Sequence, residues 1–464
     1  MIAPRLLSLL VGLLIALAGC GGGGGGGGNP VATGCPPDVQ KQSVLDIMQD
    51  WYFWNDDPQQ QAKYQGLNLT SFATADELLS QLRFRPFEFD RGFSFITTVE
   101  ADEQFLAEGE FLGFGFGSRY VNPPANDDLR ITQTFVGSPA ETAGFRRGYR
   151  ILSVDGRTIA EINQAEGLTE AFGPREEGIE RTFRLRDLVG AEFEVVVTKA
   201  LFNIDPVPDV PARVIDRNGR PVGYVNFLTF VSTADAELDG LFSQFRNQNV
   251  ADLVIDLRYN GGGLVSTAER LADLIGGAVV GNQLFSQTRY NSARSSNNTS
   301  RRFQSLSQSL PLLQRVVFIT SGGSASASEL VPNGLAPHLV VALAGARTFG
   351  KPVGQSAFDY CNGQFRLRAV SFELLNANDE GGFFNGLPQP GSSIAALCEA
   401  PDDLDFPLGD PNEASLAAAL SYIDTLACPP APLAVEKFRP GLGFHEDIPL
   451  PTHAAPEQRY AGAF

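Results

Sequence analysis

The sequence predicts an α/β chain of several domains: a helical subdomain, then a β-rich domain, then a layered α/β domain. Three observations predict this. Apolar residues recur at helical spacing near the N-terminus, glycines alternate with large apolar residues in the middle, and residues 201–430 alternate short apolar strands with helical stretches. The 464 residues suffice for two to four domains at roughly 100–200 residues each. Hydrophobic residues make up 43% of the chain, which excludes global disorder. A formal net charge of −18 argues against a nucleic-acid partner, which would want a basic face.

Residues 1–20 read as an export signal. Arg5 supplies the positive charge and Leu6 to Leu17 an apolar run too short to span a membrane. The run ends in Leu17-Ala18-Gly19-Cys20, which resembles a bacterial lipobox with Cys20 as the lipidated residue; an ordinary signal peptide with a chance cysteine is the alternative. Residues 21–38, with Gly21 to Gly28, then form a flexible tether. Cys35, Cys361, Cys398 and Cys428 remain, an even number that predicts two disulfides in an exported chain. Position alone favours Cys35–Cys428, closing the body near its ends, and Cys361–Cys398, stapling a loop insertion. No metal is expected: there is no CxxC, and His338, His445 and His453 lack ligand spacing.

Residues 39–107 form the helical subdomain. Val44, Ile47, Met48, Trp51 and Trp54 share one face of a helix over 39–56, and a second helix runs from Ala75 to Leu82. Residues 108–200 form the β-rich domain. Ser138-Pro139-Ala140, Ala143-Gly144-Phe145, Gly148 and Val154-Asp155-Gly156 follow Leu112-Gly113-Phe114-Gly115-Phe116 in order, and Phe193 to Thr198 is a closing strand. In residues 201–430, Gly223 to Phe227, Asp252 to Leu257, Val316 to Thr320 and Leu339 to Ala344 read as strands, and Ala234 to Phe245 and Thr267 to Ile275 as helices. Residues 287–308, rich in Ser, Asn, Gln and Arg, read as an exposed loop, and residues 431–464 as a Pro-rich tail.

One stretch, Ser321 to Glu329, lies between a buried strand and a helix start, where free N–H groups gather. A serine there can act as a nucleophile or merely cap the helix. The histidines do not suit it as bases, and no GxSxG elbow is present. The chain has five lysines, and Lys351 follows the next strand in Arg347-Thr348-Phe349-Gly350. Loops after two adjacent parallel strands meet, so Ser326 and Lys351 can meet. A lysine is a base only when neutral, which apolar neighbours such as Phe349 and Val353 favour.

Two resemblances follow from these motifs. Residues 108–200 resemble a bacterial PDZ domain, which implies that Leu112, Gly113, Phe114, Gly115 and Phe116 cap a peptide's terminal carboxylate through backbone N–H groups. Residues 39–425 resemble the carboxyl-terminal processing, or tail-specific, serine proteases. The motifs are Ser324-Ala325-Ser326-Ala327-Ser328-Glu329, Thr348-Phe349-Gly350-Lys351 placed 25 residues after Ser326, and Asp256-Leu257-Arg258-Tyr259-Asn260-Gly261-Gly262-Gly263. This implies a crotonase/ClpP-like layered α/β protease domain with Ser326 as nucleophile, Lys351 as base, Gln355 orienting it and Glu329 in support. The oxyanion donors implied are Ala327 with Gly262 first and Gly263 second. The helix from Glu413 to Tyr422 resembles the family's closing helix. Pro332 departs from the pattern and should kink or shorten the nucleophile helix. Pro352 departs too, and Asp359 to Pro407 looks like an added segment.

The resemblance implies a serine endopeptidase that needs no cofactor and acts on protein or peptide substrates with apolar C-termini. Cys20 implies a lipid anchor in a membrane, and Gly21 after it implies the periplasmic side of the outer membrane, with surface display as the alternative. A homo-oligomer or an activator protein is left open. The competing function is a peptide-binding lipoprotein or adaptor built on a protease scaffold without turnover.

Overall fold

The computed structural model describes residues 34–165, 167–209 and 214–430. The expected signal segment, Cys20, the Gly21 to Gly28 run and the tail from 431 lie outside the described residues. Contacts divide the chain after Pro36, and all that follows here concerns the unit beginning at Pro37.

A six-stranded sheet organises the site. Its order is Val214–Arg217, Arg220–Asn226, Asp252–Asp256, Arg315–Thr320, Val340–Gly345, Leu397–Glu399. All neighbours are parallel except the first pair. Period-2 alternation assigns the faces. Leu253, Ile255, Val316, Phe318, Val341 and Leu343 pack under helices Ala234–Asn247, Val265–Val280 and Ala327–Leu335. Val254, Val317, Ile319, Ala342 and Ala344 pack under helix Ala414–Thr425. Both faces are covered, which is why these strands read as continuous apolar runs.

A second, five-stranded antiparallel sheet joins Phe95–Thr98, Phe365–Leu375, Leu284–Tyr290 and Thr299–Arg302, with Val353–Tyr360 also paired to Phe365–Leu375. The N-terminal helices Pro37–Trp51 and Ala75–Leu82 bury Val44, Met48, Leu78, Leu79 and Leu82 against its Val353, Leu367, Ala369 and Val370. The first helix ends at Trp51 and a 3₁₀ turn, Phe53–Asp56, completes the stretch expected over 39–56. The break lies at Tyr52, whose hydroxyl is buried on Asp90 at 2.7 Å.

A third sheet orders Phe116–Tyr120, Leu129–Thr134, Arg150–Val154, Glu180–Arg186 and Glu192–Thr198, leaving Phe116–Tyr120 as an edge. Its core holds Phe114, Phe116, Phe145, Phe172 and Phe183. The turn at Asp155-Gly156 has φ of +50° and +77°, which closes the two-residue hairpin between Val154 and Arg157.

Three expectations are corrected. Residues 287–308 are not all loop: Leu284–Tyr290 and Thr299–Arg302 pair antiparallel, and the polar side chains of Thr299–Arg302 suit the sheet edge it forms. Asp359 to Pro407 is no peripheral addition, since it contains the central strand Phe365–Leu375 and the edge strand Leu397–Glu399. Neither expected disulfide forms. Cys398 pairs with Cys428, Cα–Cα 4.9 Å, because helix Ala414–Thr425 packs over the strand that carries Cys398 and delivers Cys428 beside it. Cys361 is disulfide-bonded as well. Pro332 sits inside helix Ala327–Leu335, which is nine residues long and continues three residues past the proline.

Candidate active site

Ser326 is the residue before helix Ala327–Leu335, at the C-terminal end of strand Arg315–Thr320. Its backbone has φ +58° and ψ −115°, a region that L side chains rarely adopt. The sharp turn that the missing GxSxG signature would have announced is therefore present. Such backbone strain persists only where the surroundings over-determine it. The neighbouring loop 257–260 does so here through three hydrogen bonds. Ser324 Oγ donates to Leu257 O at 2.7 Å, Ser328 Oγ to Asn260 O at 2.7 Å, and the Ala325 N–H to Asn260 O at 3.2 Å.

Glu329 ties Ser326 and Lys351 together. Its carboxylate is fully buried and accepts four hydrogen bonds. The Ser326 N–H donates at 2.9 Å, the Lys351 N–H at 2.8 Å, the Gly350 N–H at 2.7 Å, and the Thr348 hydroxyl also donates. Burial pushes its carboxyl up and the four donors oppose that push. Oε2 alone accepts from both Ser326 and Lys351.

Lys351 is 2% exposed. Its Nζ donates to Gln355 Oε1 at 2.8 Å and lies 5.3 Å from the centre of the Phe93 ring. Gln355 in turn donates through Nε2 to Phe93 O. Ser326, Lys351, Gln355, Gly262 and Gly263 all line one cavity of about 340 Å³. Phe95, Phe105, Phe111, Phe135, Leu228 and Phe372 give it an apolar wall.

Of the expected oxyanion donors, Gly262 has φ +104° and sits against Ser326: a Cβ there would lie 2.8 Å from Ser326 Cβ. Its N–H, however, donates to Asn260 Oδ1 at 2.9 Å. The Ala327 and Gly263 N–H groups have no acceptor among the described residues. Asn260 is fixed by its Nδ2 bond to Phe227 O at 2.9 Å.

In the Leu112–Phe116 stretch the side chains of Phe114 and Phe116 are fully buried. Gly115, at φ +88°, packs so closely on Ser138 that a Cβ would lie 2.1 Å from Ser138 Cβ. Two cations flank it that sequence reasoning missed. Arg175 Nε donates to Leu112 O at 3.2 Å, and Lys199 Nζ lies 5.0 Å from the Phe114 ring centre. Burial, with Arg181 and Arg175 nearby, lowers Lys199 to about 8.

A second missed cluster lies beside the oxyanion loop. Arg258 is fully buried and pairs with Asp256 at 2.8 Å, Glu413 at 2.8 Å and Asp402 at 2.9 Å. Asp402 also takes Arg147 at 2.6 Å, Arg119 at 3.4 Å and the Tyr259 hydroxyl. Burial would raise the Asp402 carboxyl, but Arg147, Arg119 and Arg258 hold it far below the usual carboxylate range. Arg119 and Arg147 belong to the third sheet and its turn, so one carboxylate connects that sheet to the residue before Asn260. Among the described residues, no group of His, Cys, Asp or Glu is arranged to hold a metal ion, and no helix is long and apolar enough to cross a membrane.

Comparison with known proteins agrees with the resemblance read from the motifs. The model of peptidase family S41 matches residues 221–386. A carboxyl-terminal-processing protease of Synechocystis sp. is 28% identical over 265 residues, which cover 56% of this chain and 57% of the relative. A protein of the same name from Picosynechococcus sp. is 30% identical over 259 residues, covering 55% and 58%. The chain thus spans somewhat over half the length of these relatives. A solved structure from Bacteroides fragilis, described as an S41 protease, superposes with a TM-score of 0.63 at 24% identity, covering 83% of this chain and 97% of the other. That likeness extends to the mixed α/β fold with several sheets.

Proposed function

We propose, from the premise that the chain carries a peptidase family S41 domain, that it is a serine endopeptidase with a Ser326/Lys351 dyad. The observation that carries the reading is the shared carboxylate: Glu329 Oε2 accepts from the backbone of both reacting residues, and both line the same cavity. In the first step neutral Lys351 takes the Ser326 Oγ proton as Oγ attacks the scissile carbonyl. The developing oxyanion is held by the Ala327 N–H and a glycine N–H. Gly263 is favoured over Gly262, whose N–H would first have to leave Asn260. The Lys351 ammonium then protonates the departing amine, leaving an acyl-enzyme. Lys351, neutral again, deprotonates the water that releases the acid.

In the same reading, residues 108–200 act as a PDZ-like domain. The edge strand Phe116–Tyr120 would take a peptide as an added strand, and the Leu112–Phe116 backbone its terminal carboxylate. Arg175 and Lys199 beside that loop favour an anionic terminus. The apolar cavity wall fits substrates with apolar C-termini. Cys20 would anchor the protein by lipid, facing the periplasm.

The test compares the full chain with its Ser326→Ala and Lys351→Ala variants on an unstructured protein ending in apolar residues, with fragments read by mass spectrometry. Cleavage by the wild type alone supports the dyad. Equal cleavage by either variant overturns it, and binding without cleavage by any form indicates a peptide-binding adaptor.

A further inference from the structure

The turn Asp90–Ser94 comes from the N-terminal part of the chain, yet it touches the base. A buried carboxylate fixes it. Asp90 accepts the Tyr52 hydroxyl at 2.7 Å, the Ser94 hydroxyl at 2.7 Å and the Ser94 N–H at 2.9 Å. From this anchored turn Arg91 reaches the segment immediately before Lys351. Its Nη2 donates to Gly350 O, and to Phe349 O at 3.3 Å. Its guanidinium lies against both rings of a contacting pair, 4.7 Å from the centre of Phe349 and 5.4 Å from that of Phe93, whose centres are 6.0 Å apart. Phe93 does two further things. Its carbonyl accepts Gln355 Nε2, leaving Gln355 Oε1 to face Lys351 Nζ, and its ring lies under Nζ at 5.3 Å.

We propose that Arg91 and Phe93 are positioning residues for the general base: they hold the Phe349–Lys351 backbone and the Gln355 amide in the arrangement in which Nζ points at the nucleophile's cavity. The inference rests on the reading of Lys351 as base. Three independent contacts converge on it: the fork to the two carbonyls before Lys351, the carbonyl that sets the Gln355 amide, and the ring under Nζ. Glu329 pulls on the N–H groups of Gly350 and Lys351 while Arg91 pulls on the carbonyls of Phe349 and Gly350. The peptide units leading into the base are therefore gripped on both edges by opposite charges. Burial lowers the Arg91 guanidinium and Glu329 opposes that shift. Neither Arg91 nor Phe93 reacts; both act through Lys351.

A double-mutant cycle in the full chain tests this. The readout is the rate at which a fluorophosphonate modifies Ser326, followed by mass spectrometry, together with kcat and KM on a peptide. Arg91→Ala should slow modification about 10- to 100-fold and lower kcat alike, with KM within about twofold, because displacing a reacting group by an ångström costs that much. In the Lys351→Ala background the same change should slow modification less than about twofold, since a residue acting through Lys351 has nothing left to position. Equal slowing in both backgrounds would mean general structural damage and overturn the proposal, as would wild-type rates in Arg91→Ala. If Arg91→Ala does not fold, Arg91→Met keeps the bulk against the rings and runs the same cycle with the same criteria. Wild-type modification in Lys351→Ala alone would sink the dyad itself, a failure visible without reference to Arg91.

Discussion

Replacing Glu329 by glutamine changes one oxygen to an amino group and almost nothing in volume. The carboxylate accepts four donors, two on each oxygen. If the amino group faces Thr348 and Gly350, the threonine hydroxyl can rotate to accept, but the Gly350 N–H is stranded. If it faces Ser326 and Lys351, two backbone N–H groups are stranded. Hydrogen bonds to a charged group are worth about 1.5–3 kcal/mol against about 0.5–1.5 for neutral ones, and a stranded buried donor costs about 1–3. Weakening the surviving bonds and stranding one donor thus removes about 3–6 kcal/mol. No longer burying a charge returns part of this, leaving a net loss of about 2–4 kcal/mol. The loss falls on the peptide units of Ser326 and Lys351 themselves, so catalysis should drop about 100-fold by misplacement. Urea unfolding gives the stability term, and fluorophosphonate modification of Ser326 gives the reactivity term. A Glu329→Gln variant that matches the wild type in both would refute the claim that this carboxylate holds nucleophile and base in register.

Other perturbations have equally definite outcomes. Gly262→Ala should abolish Ser326 modification without unfolding the protein, because the new Cβ would lie 2.7 Å from Ala325 O and 2.8 Å from Ser326 Cβ; a peptide-cleavage assay beside circular dichroism checks it. The Asp402 carboxyl is depressed on folding, so its stabilisation is present above the unfolded value, about 3.9, and is lost as pH falls through and below that range. Thermal melts from pH 6 to 3 should show this loss, and Arg147→Ala should flatten it. Removing the Cys398–Cys428 bridge, with its separation of 30 residues, by Cys398→Ala/Cys428→Ala should cost about 3–4 kcal/mol in a urea titration on the chain-entropy estimate.

The parallel sheet was legible because its strands are buried on both faces and so carry unbroken apolar runs such as Leu253-Val254-Ile255. Helix Ala75–Leu82 was legible from its apolar spacing, with Thr74 capping it through the Glu77 N–H. Ser326, Lys351 and Gln355, picked out by short motifs, line one cavity. What failed shares a cause: signals that live only in three dimensions. Thr299–Arg302 is polar because it is a sheet edge, and polar edges look like loops in one dimension. Cys398 and Cys428 are neighbours only through the packing of Ala414–Thr425, which no count of cysteines reveals. Arg91 meets Phe349 and Gly350 across more than 250 residues of chain, and a lone arginine in an irregular turn carries no period. The Asp402 cluster was hidden likewise, its four partners scattered from Arg119 to Tyr259 to Arg258.

The backbone of Ser326 implies a tension between durability and chemistry. At φ +58° and ψ −115° a non-glycine residue gives up about 1–3 kcal/mol relative to an ordinary conformation. Glycine would relieve that strain and keep the helix start, yet it has no hydroxyl. The variant Ser326→Gly should therefore be both inert and harder to unfold. Among random substitutions at this position, the ones that would toughen the protein are the ones that would silence it. Screens for thermal hardiness alone would drift toward dead enzyme here, and only a screen that also demands turnover would keep the serine.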